Sequence, residues 1–115
     1  MTKEEVFEKF TFLDSDNILH QDQLDTYAEW VIDALEYDNV IQILDYLKDY
    51  NVGDISDFFL YELGVFLYPF EERFIPIWEK LFQELGAEYD EKIIEGEIVV
   101  ENEFARIEKE LFGRL

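Results

Sequence analysis

Cysteine is absent from the chain, which excludes a disulfide framework and any metal site built on thiolates. Histidine occurs once, at His20, so a zinc or catalytic site drawing on several imidazoles has no material. Positive charge is scarce: 9 Lys and Arg stand against 29 Asp and Glu, a formal net charge of -20. A field of that sign repels phosphate and anionic headgroups, which argues against direct binding to nucleic acid or membrane and favours a basic protein partner. No run approaches the roughly 18 uninterrupted apolar residues of a membrane span. The opening residues Met1-Thr2-Lys3-Glu4-Glu5-Val6-Phe7 lack the apolar stretch of a secretion signal, so the expected location is the cytoplasm. With 5 Gly and 2 Pro there is no linker-like tract either, and residues 1–115 read as a single domain.

What the chain does contain is apolar and aromatic mass. Hydrophobic residues make up 49% of it and aromatics 17%, with 11 Phe, 7 Tyr and 2 Trp. A disordered chain is poor in such residues, so this one has the means to bury a core.

The apolar pattern is helical over most of its length and predicts a mainly α fold, a compact helical bundle or short helical array. Thr2-x-x-Glu5 has the form of a capping box opening a first helix with Val6, Phe7, Phe10 and Leu13, and Asp14-Ser15-Asp16-Asn17 breaks it. A second helix is predicted from about His20 to Tyr37, with Leu24, Tyr27, Ala28, Val31 and Leu35 inward. A third, from about Asn39 to Tyr50, ends at Gly53, and Asp54 caps a fourth that Pro69 closes. The fifth carries Phe74, Ile77, Trp78, Leu81, Phe82 and Leu85, with Gly86 at its end and Pro76 marking either a kink or a start near Ile75. The β-branched stretch over residues 92–100 around Gly96 suits a short β-hairpin, or else a helix continuous with the closing one from about Asn102 to Phe112. As a strand, residues 98–100 would offer an edge for a weak homodimer or for strand addition by a partner.

The arrangement of charge says more than its total. No Lys or Arg lies between Phe10 and Leu47, where nine acids occur. On the predicted second helix Asp22, Asp25, Glu29, Asp33 and Glu36 follow one another at intervals of 3, 4, 4 and 3, which stacks them along one face. Like charges so spaced cost a few tenths of a kcal/mol per pair. The bland account is a solvated face, or one that Arg73, Lys80 or Arg106 reaches in the fold. The functional account is a ridge of carboxylates that steers a cationic surface into place. Trp30, between the acidic and apolar sides, would supply an anchoring contact, with Tyr27, Tyr37, Tyr46 and Tyr50 nearby. The candidate partner-binding residues are therefore Asp22, Asp25, Glu29, Trp30, Asp33 and Glu36.

Catalytic signatures are missing. There is no glycine-rich phosphate loop, no nucleophile elbow and no Cys nucleophile. Asp14-Ser15-Asp16-Asn17 opens like a calcium-binding loop, but Ile18 and Leu19 occupy positions that need a ligand and a glycine. No catalytic residue, metal or cofactor is expected, and the chain reads as a binder rather than an enzyme.

In size, acidity, lack of cysteine and helical content the chain resembles bacterial immunity proteins that neutralise nuclease toxins, those of contact-dependent growth inhibition and of nuclease colicins. The resemblance is one of general character and carries no site residue across. It implies a cytoplasmic inhibitor whose carboxylates take the place of phosphates at the basic cleft of a cognate toxin. The alternatives are a nucleic-acid mimic, such as a phage anti-restriction or anti-CRISPR protein, and a non-catalytic helical adaptor that presents aromatic side chains.

Overall fold

A computed structural model describes residues 1–113, and among them every regular element is helical. Helix α1 (Lys3–Lys9) opens with the expected capping box, Thr2 accepting from the Glu5 N–H and Glu5 reaching back to the Thr2 N–H. These bonds, that from the Thr2 backbone first, hold the Glu5 carboxyl below its ordinary value. The helix is shorter than its apolar pattern, yet Phe10 and Leu13 still reach the core from the turn that follows. In that turn the Asp14 carboxylate accepts from the Asp16 N–H, and Nδ1 of His20 accepts from the Asp14 N–H.

The long second helix expected over 20–37 does not form. It is replaced by α2 (Ile18–Asp25), capped by Asn17, and the short α3 (Glu29–Asp33). Between them the Thr26 hydroxyl donates to the Gln23 carbonyl and Ala28 is extended. Tyr27 is drawn inward, its hydroxyl donating to the Leu60 carbonyl and accepting from the Leu63 N–H. Two causes favour the break. One continuous helix would hold five carboxylates at repelling spacings, whereas the break moves Glu29 to a helix start, where negative charge is favourable. It also lets Leu24, Ile32 and Leu35 all enter the core while Tyr27 satisfies the backbone at 60–63. Glu36 is extended and precedes α4 (Tyr37–Leu47), which starts two residues earlier than its pattern indicated and buries Val40, Ile43 and Leu47.

Helix α4 stops at Leu47, short of the expected Tyr50, so Gly53, at φ 83, does not end it but turns the chain just ahead of Asp54, which caps α5 (Ile55–Tyr61) as expected. The α-helix stops at Tyr61, however, and Leu63–Leu67 continue as a tighter 3-10 turn. Asn39 fixes the next stretch: its amide donates to the Phe66 and Tyr68 carbonyls and its oxygen accepts from the Phe70 N–H. After Pro69 a wide π turn (Phe70–Phe74) leads into α6 (Ile75–Leu85). Pro76 has no N–H to give the Glu72 carbonyl, and Arg73 reaches that carbonyl at 3.5 Å instead. Gly86, at φ 74, ends α6 where its position predicted.

The hairpin expected near residues 92–100 is also absent. Residues up to Ile94 belong to α7 (Tyr89–Ile94), and α8 (Val100–Phe112) begins soon after Gly96. The β-branched run is overruled by tertiary contacts. Ile93 and Ile98 pack against the core from helix and turn, and the Glu62 carboxylate caps the backbone at Val100 and Glu101.

Helix α6 lies against α8 and the π turn, and one apolar cluster runs from Val6 to Ile107. Its centre is aromatic: Trp78 stacks on Phe74 at 6.1 Å, Tyr50 meets the Trp78 ring edge-on at 5.2 Å, and Phe104 closes the group. No described helix is long and apolar enough to cross a membrane.

Candidate partner-binding surface

The six candidate residues are all exposed, but they do not form one ridge. Asp22 and Asp25 lie on α2, Glu29, Trp30 and Asp33 on α3, and Glu36 in the extended link before α4. Asp25, Glu29 and Asp33 nevertheless converge, with Thr2, Lys3 and Tyr27, around a depression of about 280 Å³. Asp22 and Glu36 do not line it.

Cations missing from the local sequence arrive from α1. The Lys3 ammonium pairs with the Asp25 carboxylate, so the neutralising partner is neither Arg73, Lys80 nor Arg106. The Met1 ammonium donates to the carbonyls of Ile32, Asp33 and Leu35 at 3.2, 3.1 and 3.2 Å, placing a positive charge at the negative end of α3. Elsewhere Arg106 spans α6 and α8, contacting Glu84 at 2.6 Å, Glu103 at 2.8 Å and Glu110 at 2.9 Å. Among the described residues six of the 29 carboxylates lie within 4.0 Å of a Lys or Arg nitrogen: Asp25, Asp45, Glu84, Glu103, Glu108 and Glu110. Asp22, Glu29, Asp33 and Glu36 are not in that set, so four of the five candidate acids keep their charge open to solvent.

Trp30 is 67% exposed and faces a different depression, of about 480 Å³, formed with Tyr27, Val31, Tyr68, Pro69, Glu101 and Glu108. Tyr68, Glu101 and Glu108 were not singled out in the sequence, because they stand more than thirty positions from Trp30 and no periodicity joins them to it. Glu101 is half-buried, and burial pushes its carboxyl above the ordinary value despite the Gly64 N–H that it accepts at 3.2 Å. The two phenols respond to the same surroundings. Burial, opposed by the Leu63 N–H and reinforced by the charges of Glu101 and Glu62, pushes Tyr27 up to about 12. Burial and then the charges of Glu108 and Glu101 raise Tyr68.

A third depression, of about 440 Å³, separates α5 from the α7–α8 turn and is mainly apolar. Tyr61, Ile94 and Val99 are exposed at its rim. No group of three or more His, Cys, Asp or Glu able to hold a metal ion occurs among the described residues. Comparison with protein-family models, with curated proteins and with solved structures finds no match to this chain in any of the three.

Proposed function

We propose that the chain is a binding protein that neutralises a basic protein partner, in the manner of an immunity protein occupying the substrate cleft of a nuclease toxin. The observation that carries this reading is the open charge of Asp22, Glu29, Asp33 and Glu36 on a chain of net charge -20. Carboxylates so placed attract a cationic surface over several ångströms and orient it before contact. A toxin that holds phosphates needs such a surface. The test is capture of partners from the source cell's lysate at low and at high salt. A single basic partner, held tightly and released by salt, supports the reading; an acidic partner, or none, overturns it.

A second reading is the helical adaptor, favoured by the exposed Tyr61, Ile94 and Val99 around an apolar depression. It differs in salt response, since burial of apolar surface is not screened.

A further inference from the structure

We infer that the depression walled by Trp30, Tyr27 and Tyr68 takes one arginine side chain of the protein partner, its guanidinium stacked on aromatic faces and paired with Glu101 and Glu108. The inference rests on the reading of the chain as a binder of a basic protein and names the contact that anchors it.

Three observations carry the choice of occupant. Trp30 is two-thirds exposed and stacks on no other ring among the described residues, so a large π face is left to solvent beside two carboxylates. Glu101 is half-buried and forms no ion pair among the described residues; the Gly64 N–H occupies its Oε2. A buried carboxylate without a counter-charge gains more from a cation than an exposed one does. Finally, Glu108 of the same depression already meets one guanidinium beside an aromatic ring. Arg73 lies 3.9 Å over the Phe112 ring and 3.8 Å from Glu108.

Arginine suits the site better than lysine. Its planar guanidinium stacks on aromatic rings, is weakly hydrated and pairs with carboxylates through a fork of donors, whereas an ammonium is a compact, strongly hydrated point charge. A single side chain also fits the dimensions, since a depression of about 480 Å³ open to solvent is too small for a folded segment.

The probe is argininamide, followed by the fluorescence of Trp30; Trp78 is buried in the core and acts as a constant background. Argininamide should change the emission saturably in the millimolar range, lysinamide at least about fivefold more weakly, and sodium chloride of equal ionic strength not saturably. Glu101→Gln, which keeps an acceptor for the Gly64 N–H, and the surface change Glu108→Gln should each weaken argininamide by about fivefold. An equal response to argininamide and lysinamide, a response reproduced by salt, or no effect of either variant overturns the inference. Capture of a basic partner at low salt alongside a silent argininamide titration would remove the arginine site and leave the partner reading standing.

Discussion

Glu62 and Glu101 cap one another's elements across the interior. Glu62, at the end of α5, accepts the Val100 N–H at 2.7 Å at the start of α8, and Glu101, in the first turn of α8, accepts the Gly64 N–H at 3.2 Å at the start of the 3-10 turn. Each carboxylate supplies what the other's element lacks, since neither helix start has a capping side chain of its own.

The exchange has a pH signature. Burial raises both carboxyls above the ordinary value of 4.5, so the folded state binds protons more tightly than the unfolded chain does. Their contribution therefore favours the fold at pH values below the unfolded-state value and is lost as pH climbs through the raised folded-state values. The double variant Glu62→Gln/Glu101→Gln should lose less stability than the wild type as pH rises above about 4.5 in urea unfolding. Parallel pH profiles would contradict the assignment.

Replacement by alanine removes the caps altogether. Glu62→Ala should lower unfolding stability by about 1–2 kcal/mol at neutral pH. A Cβ at Gly64 would run into Oε2 of Glu101, so Gly64→Ala should displace that carboxylate and cost about 1 kcal/mol. In a Glu101→Ala background most of that cost should vanish, and a double-mutant cycle measures the coupling. Strict additivity would mean that the two residues do not act through one another.

Asn39 carries a larger share than its surface-like identity suggests. It donates to Phe66 at 3.2 Å and Tyr68 at 2.9 Å and accepts from Phe70 at 3.0 Å, pinning the turn on which the Trp30 depression depends. Asn39→Ala strands three backbone groups and should cost about 2–3 kcal/mol in chemical denaturation. A loss under about 0.5 kcal/mol would place it with ordinary surface substitutions instead.

Arg106 gathers three carboxylates, which raise its pKa. Exposed ion pairs are individually weak, but removing this cation leaves Glu84, Glu103 and Glu110 facing each other without compensation. Arg106→Ala should destabilise by about 1 kcal/mol at low ionic strength, and added salt should shrink the difference. A loss independent of salt would point to packing of the side-chain stem instead.

The acidic surface is tested best by substitutions that spare the Lys3–Asp25 pair. Asp22→Lys/Glu29→Lys/Asp33→Lys should shift the thermal midpoint little, relief of self-repulsion offsetting the lost helix-start charge of Glu29, and abolish capture of a basic partner. Retained capture would move the interface elsewhere.

The sequence made the helical class, the Thr2 and Asp54 caps and the stop at Gly86 legible, because each rests on local chemistry. It misled where distant residues decide the backbone. Nothing around Thr26 announces that Tyr27 will bond to Leu60 and Leu63, and nothing around Val100 announces the cap from Glu62. Asp25, Glu29 and Asp33 line one depression although the continuous helix whose spacing grouped them does not form, and of the aromatics expected near Trp30 only Tyr27 lines its depression. Its groove is closed by Tyr68, Glu101 and Glu108, which only the fold brings near.

Tyr27 lines both the depression of Asp25, Glu29 and Asp33 and that of Trp30, and its hydroxyl is fastened to the backbone beneath them. A chain drifting toward a new partner can exchange exposed carboxylates such as Glu29 and Asp33 one at a time, each at little cost to the fold, whereas Glu101 is held by its cap on Gly64. It cannot exchange Tyr27 without reshaping two surfaces and loosening the interior in a single step. Diversification should therefore proceed around this tyrosine, with recognition varied at its margins and the hub left in place.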